Sequence, residues 1–196
     1  MAKIGLKYPV AALGAYSEGA APTYTEGFVI GKAIAADKEI KFTSNPLYAN
    51  DGIAEDENTF ESGTIKLGID DIVETAQAKL FGHTLDDGAG AGDPKILKKG
   101  AGDQPPFVGI GYYKTGVKNS VKYYETTWIF KAKFAPPKES AKTAEGKVSW
   151  QTPETEGTIY PIPGYEKDLY EEVIRHTTEA KAVEYLNTKA GITAGA

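Results

Sequence analysis

The stretch VKYYETTWIFKAKF, residues 121–134, decides the reading of the fold. Its even positions Tyr124, Trp128, Phe130 and Phe134 share one side, with Thr126 and Ala132 between them. Its odd positions Tyr123, Glu125, Thr127, Lys131 and Lys133 share the other, with Ile129 as the exception. Period-two alternation of this kind predicts a half-buried β-strand with an aromatic inner face. Upstream, FVGIGYYKTG (107–116) puts Val108, Ile110 and Tyr112 on one face and Gly109 and Gly111 on the other. The turn-rich KTGVKNSVK between the two predicts an antiparallel hairpin.

Further strands follow the same rule. TIKLGIDDI (64–72) alternates Ile65, Leu67 and Ile69 against Thr64, Lys66 and Asp70. GFVIGKAIA offers Phe28, Ile30 and Ile34, EIKF puts Ile40 and Phe42 in phase, and GKVSWQT (with Val148 and Trp150) and EGTIYPI come later. DLYEEVIRHT (168–177) is ambiguous between strand and helix; it is read as a strand because Thr177-Thr178 starts a new element. Two helices are expected. DDIVETAQAKLFGH opens with acids and ends at Gly82. TTEAKAVEYLNTKAG has a Thr N-cap, Gly191 beyond its end, and Ala182, Val183 and Leu186 near one face.

Two segments read as long loops. NPLYANDGIAEDE (45–57) mixes bulky apolar residues with a cluster of acids and is too long for a hairpin turn. LDDGAGAGDPKILKKGAGDQPP (85–106) is rich in Gly and Pro, a length that calls for mobility or an ordering partner. With no internal repeat, the 196 residues are read as one mainly β domain, large enough for its own core.

Composition narrows the chemistry. The absence of Cys excludes disulfides and thiol catalysis, and His83 and His176 leave little room for histidine-based metal centres or triads. A formal charge of −5 argues against gripping phosphate backbones, and the Lys–aromatic interleaving along 112–134 is what a core strand requires. No segment reaches the roughly 18 apolar residues that would cross a bilayer, so membrane insertion is not expected, and MAKIGLKYPV does not read as a secretory signal.

No motif carries catalysis or a cofactor. Were Gly52 the central glycine of an EF-hand loop, Leu47, Ala49 and Asn58 would stand at ligand positions. A solvated acid cluster is therefore the better reading of Asp51, Glu55, Asp56 and Glu57 than an irregular metal site. EGFVIGKA has the wrong glycine spacing for a phosphate loop, and Pro94 follows GAGAGD where a helix should open. No G-x-S-x-G elbow is present, and no carboxylate pair stands out. The chain is read as a non-enzyme.

The order of these features resembles the major tail proteins, or tail-tube proteins, of bacteriophages with long non-contractile tails. The resemblance is carried by IGLKYPVAA, by LYANDGIAEDEN leading into GTIKLGIDDI and its helix, and by FVGIGYYKTG with YYETTWIFKAKFAPP. GKVSWQTPETEGTI and TTEAKAVEYLNTKAGI complete it, so it spans nearly the whole chain. It implies a β-sandwich or flattened barrel with a flanking helix. It also implies hexameric rings stacked into a virion tail tube that conducts DNA, with tape-measure and tail-terminator proteins as further partners. Long loops bridge subunits in that family. On this reading Leu47, Tyr48, Asp51, Gly52 and Ile53 form a self-assembly arm within 43–59, and 85–106 a second. An acidic lumen would repel DNA phosphates. The C-terminal immunoglobulin-like domain of some relatives is expected to be absent, since the chain ends five residues after Gly191. The alternative is a β-sandwich module that binds carbohydrate or another ligand, resting on exposed tyrosines such as Tyr113 and Tyr123.

Overall fold

A computed structural model describes residues 3–86, 88, 90, 93–138 and 152–193. Among these residues ten strands and two helices follow in the order β1 (Lys3–Ala15), β2 (Thr23–Val29), β3 (Ala33–Ala49), β4 (Gly52–Ile69), α1 (Glu74–Phe81), β5 (Thr84–Asp86), β6 (Ile96–Lys98), β7 (Val108–Lys118), β8 (Val121–Phe134), β9 (Glu154–Ile159), β10 (Glu171–His176) and α2 (Glu179–Ala190). Eight strands form one antiparallel sheet in the order β2-β1-β7-β8-β9-β4-β3, with β10 also paired to β8. The strand Val148–Trp150 expected from the sequence lies outside the described residues.

The sheet folds over on itself. Ile65, Leu67 and Ile69 of β4 share one core with Val108, Ile110 and Tyr112 of β7, although β8 and β9 separate those strands in the sheet. That contact requires the β4–β3 end to lie over the β1–β7–β8 part, which makes the fold sandwich-like. Helix α1 plugs this core with Ala76, Leu80 and Phe81, preceded by Ile72.

A second core lies on the opposite face of β1–β7–β8. There α2 presents Ala182, Leu186 and Ala190, at helical spacing, to Val10, Ala12, Tyr113, Trp128 and Phe130. Val183, also expected on that face, is only partly buried. The ends of α2 follow from its sequence. The Thr178 hydroxyl accepts the Lys181 N–H, Gly191 takes φ 67°, and the Ile192 N–H donates to the Asn187 carbonyl at 2.9 Å.

The central hairpin forms as expected, but the single aromatic inner face of β8 does not. Ile129 stands opposite Ile110 and Ala132 opposite Val108, so three steps along β8 match two along β7. This bulge near Phe130 switches the phase of the alternation. Trp128 and Phe130 therefore enter the helix-covered core, while Ile129, Ala132 and Phe134 enter the other. Ile129 is no exception: the strand is buried on both faces. The bulge leaves the Phe130 carbonyl to accept two phenols, from Tyr16 at 2.8 Å and Tyr24 at 2.7 Å. The adjacent glycines also find their reason here. A Cβ at Gly111 would lie 2.5 Å from the Trp128 ring, and one at Gly109 would lie 2.7 Å from it. Only glycine lets the indole lie flat on β7.

Candidate assembly surface

Residues 45–57 are not a loop. Strands β3 and β4 stay paired, through register shifts at Lys41/Phe42 and Leu47/Tyr48, to Ala49 opposite Gly52, and Asn50-Asp51 close the hairpin. Both turn residues have positive φ, 49° and 64°, the signature of a type I′ turn, whose twist matches that of paired strands. Strand β9 pairs with β4 only over Gly63–Gly68, and beyond the Phe42–Phe60 pair the ribbon leaves the body. What projects is a two-stranded arm of about seven residues a side, or about 23 Å at the rise of a strand.

The register assigns its faces. Ala36 and Ile40 pack on the first core, so alternation carries Phe42, Ser44, Pro46 and Tyr48 outward on that same face. Across the ladder, Phe60, Asn58, Asp56 and Ile53 oppose them. The core face thus continues past the end of the core. At the root, Phe60 contacts Phe42 and lies 5.5 Å from Tyr170, centroid to centroid. At the tip, Tyr48 and Ile53 are direct cross-strand partners, 67% and 63% exposed. Leu47 is equally uncovered on the other face, beside Glu55 and Glu57. Hydrogen bonds from Ser44 Oγ to Asp56 Oδ1 (2.6 Å) and from Asn45 Nδ2 to Thr59 Oγ1 (2.8 Å) brace the shaft. The acids are distributed over both faces. Among the described residues no group of three or more His, Asp or Glu is placed to hold a metal ion.

Ion pairs hold the base of the arm to the body. Lys38, on the inner face of β3, pairs with Glu171 of β10, both largely shielded from solvent. Beside them Glu125 accepts from Lys3 and, at 2.9 Å, from Arg175 Nε. Burial works to raise the Glu125 pKa, but the two cations outweigh it and hold the carboxyl below its usual value.

The second segment proposed as an arm, 85–106, is only partly a loop. Strands β5 and β6 pair within it, an ion pair of 2.8 Å links Lys98 to Asp86, and His83 Nδ1 lies 2.6 Å from Asp103 Oδ2. Its Ile96 is exposed. Tyr113 corrects another expectation. It is 2% exposed, donates to Glu179 and stacks edge-on with Tyr124, so it offers no open ring. Tyr123 is half-buried under the Arg175 guanidinium.

The sequence drew attention to Leu47, Tyr48, Asp51, Gly52 and Ile53, and the fold brings all five together at one tip. It did not single out Phe60 or extend Phe42 into the arm, although the even-numbered run Ile40, Phe42, Ser44, Pro46 and Tyr48 carried that signal. Among the described residues no helix is long and apolar enough to cross a membrane. No protein-family model matches the chain, and no curated protein does.

Proposed function

We propose that this chain is a structural subunit that assembles with its own copies, in stacked sixfold rings, into the tail tube of a long-tailed bacteriophage. One observation supports this most: a projecting β-ribbon carries uncovered Leu47, Tyr48 and Ile53 at its tip. A two-stranded ribbon is marginal in water by itself, and large apolar side chains at its end gain about 25 cal/mol per Å² when another surface covers them. Among the described residues no strand pairs with the outer edge of β3, an edge of the kind that neighbouring chains complete. On this reading the protein works in the virion tail without chemistry of its own. Tape-measure and terminator proteins are its further partners, and DNA passes its lumen unbound.

The experiment is negative-stain electron microscopy of the purified protein from dilute to concentrated solution. Tubes of uniform diameter with an axial repeat support the reading. Particles that stay small at every concentration, even with preformed tube ends added as seeds, count against it. The ligand-binding alternative loses its best support in the burial of Tyr113.

A further inference from the structure

The arm leaves the body at one end of β3, and a groove opens at the other. Leu6, Tyr8 and Val29 supply its accessible apolar lining, with the buried Tyr113 beneath them, and Lys7 and Lys32 its basic residues, with a volume of about 420 Å³. Bulges in β1 help to form it. The register slips between Lys7 and Val10, and Tyr8 adopts φ 57°, which opens β1 away from β7 at this point. Val29 is 41% exposed there.

We propose that this groove receives the arm tip of a second copy of the chain, with Tyr48 and Ile53 seated against Val29 and Leu6. The inference rests on the assembly reading above and names the acceptor that reading lacks. Three features support it.

The first is charge. The segment 43–59 contains Asp51, Glu55, Asp56 and Glu57 and no basic residue. The Lys32 side chain is 92% exposed and only 4.0 Å from Asp70, whose carboxylate already accepts the Lys32 and Asp71 backbone N–H groups. Lys7 is paired at 3.1 Å with Glu179, also partly exposed. Incoming acids therefore meet two lysines held by weak, solvated partners, an arrangement that sets orientation and association rate more than affinity.

The second is chemistry and size. The arm tip offers one cross-strand pair of apolar side chains, and the groove is an apolar recess of that scale rather than a channel for a helix.

The third is polarity. Ala33 lines the groove and Tyr48 lies fifteen positions further along the same strand. At the rise of a strand that separation is about 50 Å. One molecule cannot insert its own arm, so engagement must be between copies. Unless two copies exchange arms reciprocally, which would stop at a dimer, a donor at one end and an acceptor at the other make a heterologous contact that repeats into a ring or an open stack.

The chain contains no Cys, so introduced cysteines report this contact without background. The full-length double variant Ile53→Cys/Val29→Cys should, on mild oxidation of assembled protein, give a reducible ladder of covalent oligomers. Each single variant should give dimers at most, and Ile53→Cys/Val173→Cys, whose second cysteine sits exposed on β10, should give no ladder. Circular dichroism checks that each variant folds. In parallel, Lys32→Glu should raise the concentration at half-assembly about tenfold. Polymers visible by microscopy without a ladder from the groove pair would overturn the acceptor assignment and leave the assembly reading standing. Absence of both polymers and ladder would overturn the two together.

Discussion

Phe42 and Phe60 meet across the root of the β3–β4 hairpin with ring centroids 6.0 Å apart and planes at 87°, and that pair marks where core ends and arm begins. Inward of it, Ile40, Ile65 and Leu67 bury on the same face. Outward of it, the face continues into solvent as far as Tyr48 and Ile53.

Replacing Leu47, Tyr48 and Ile53 together by Ser removes exposed apolar surface and touches no core. Thermal stability of the free subunit should therefore change by no more than about 0.5 kcal/mol per site. Assembly should be lost. Sedimentation across a concentration series reads both states, and normal polymers from the triple variant would end the assembly role of the tip.

Phe60→Ala removes the ring that ties the arm root to Tyr170. Phe60 is partly exposed, so the cost should fall below that of a fully buried aromatic, about 1–2 kcal/mol. The loss should be local. Amide exchange should accelerate across 43–59 while Ile65–Ile69 keeps its protection; uniform acceleration would show that the root is not a separate hinge.

Gly111→Ala places a methyl group 2.5 Å from the Trp128 ring, beneath α2. Overpacking of this kind costs about 1–3 kcal/mol. The expected result is a lowered Tm together with a changed Trp fluorescence, since the indole must shift. An unchanged Tm would mean that α2 yields at no cost.

Acid should loosen the junction at Glu125. Its carboxyl titrates below the ordinary value of 4.5 in the folded chain, so the unfolded chain takes up the proton first as pH falls. The stabilisation is complete above pH 4.5 and disappears as pH drops through the lowered folded value. Glu125→Gln should lower stability at neutral pH by about 1–2 kcal/mol and flatten the acid limb of a stability–pH curve. A variant with the wild-type acid limb would show that other carboxylates govern it.

Much of the fold was legible because it is written in local periodicity. Ile65, Leu67 and Ile69 alternate and are buried, Thr178 and Gly191 bound α2, and Glu171–His176 is a strand as expected. The arm was misread for a physical reason. Pro46 and the acids from Glu55 to Glu57 resemble a loop and mask the Asn50-Asp51-Gly52 turn signal between the two strands. A ribbon with neither face buried leaves only weak period-two contrast.

By itself, then, the sequence determined most of the buried strands and where the helices stop. Those are short-range matters of side-chain period, caps and turn φ. Tertiary structure decided the rest. The bulge near Phe130 sends Trp128 and Phe134 into different cores, and the folding-over of the sheet sets Ile65 against Ile110. The length of the β3–β4 ladder places arm and groove at opposite ends of one strand. Each depends on how one strand registers or packs against another, which no single strand's periodicity specifies, and a slip of one residue would exchange the faces of a whole strand.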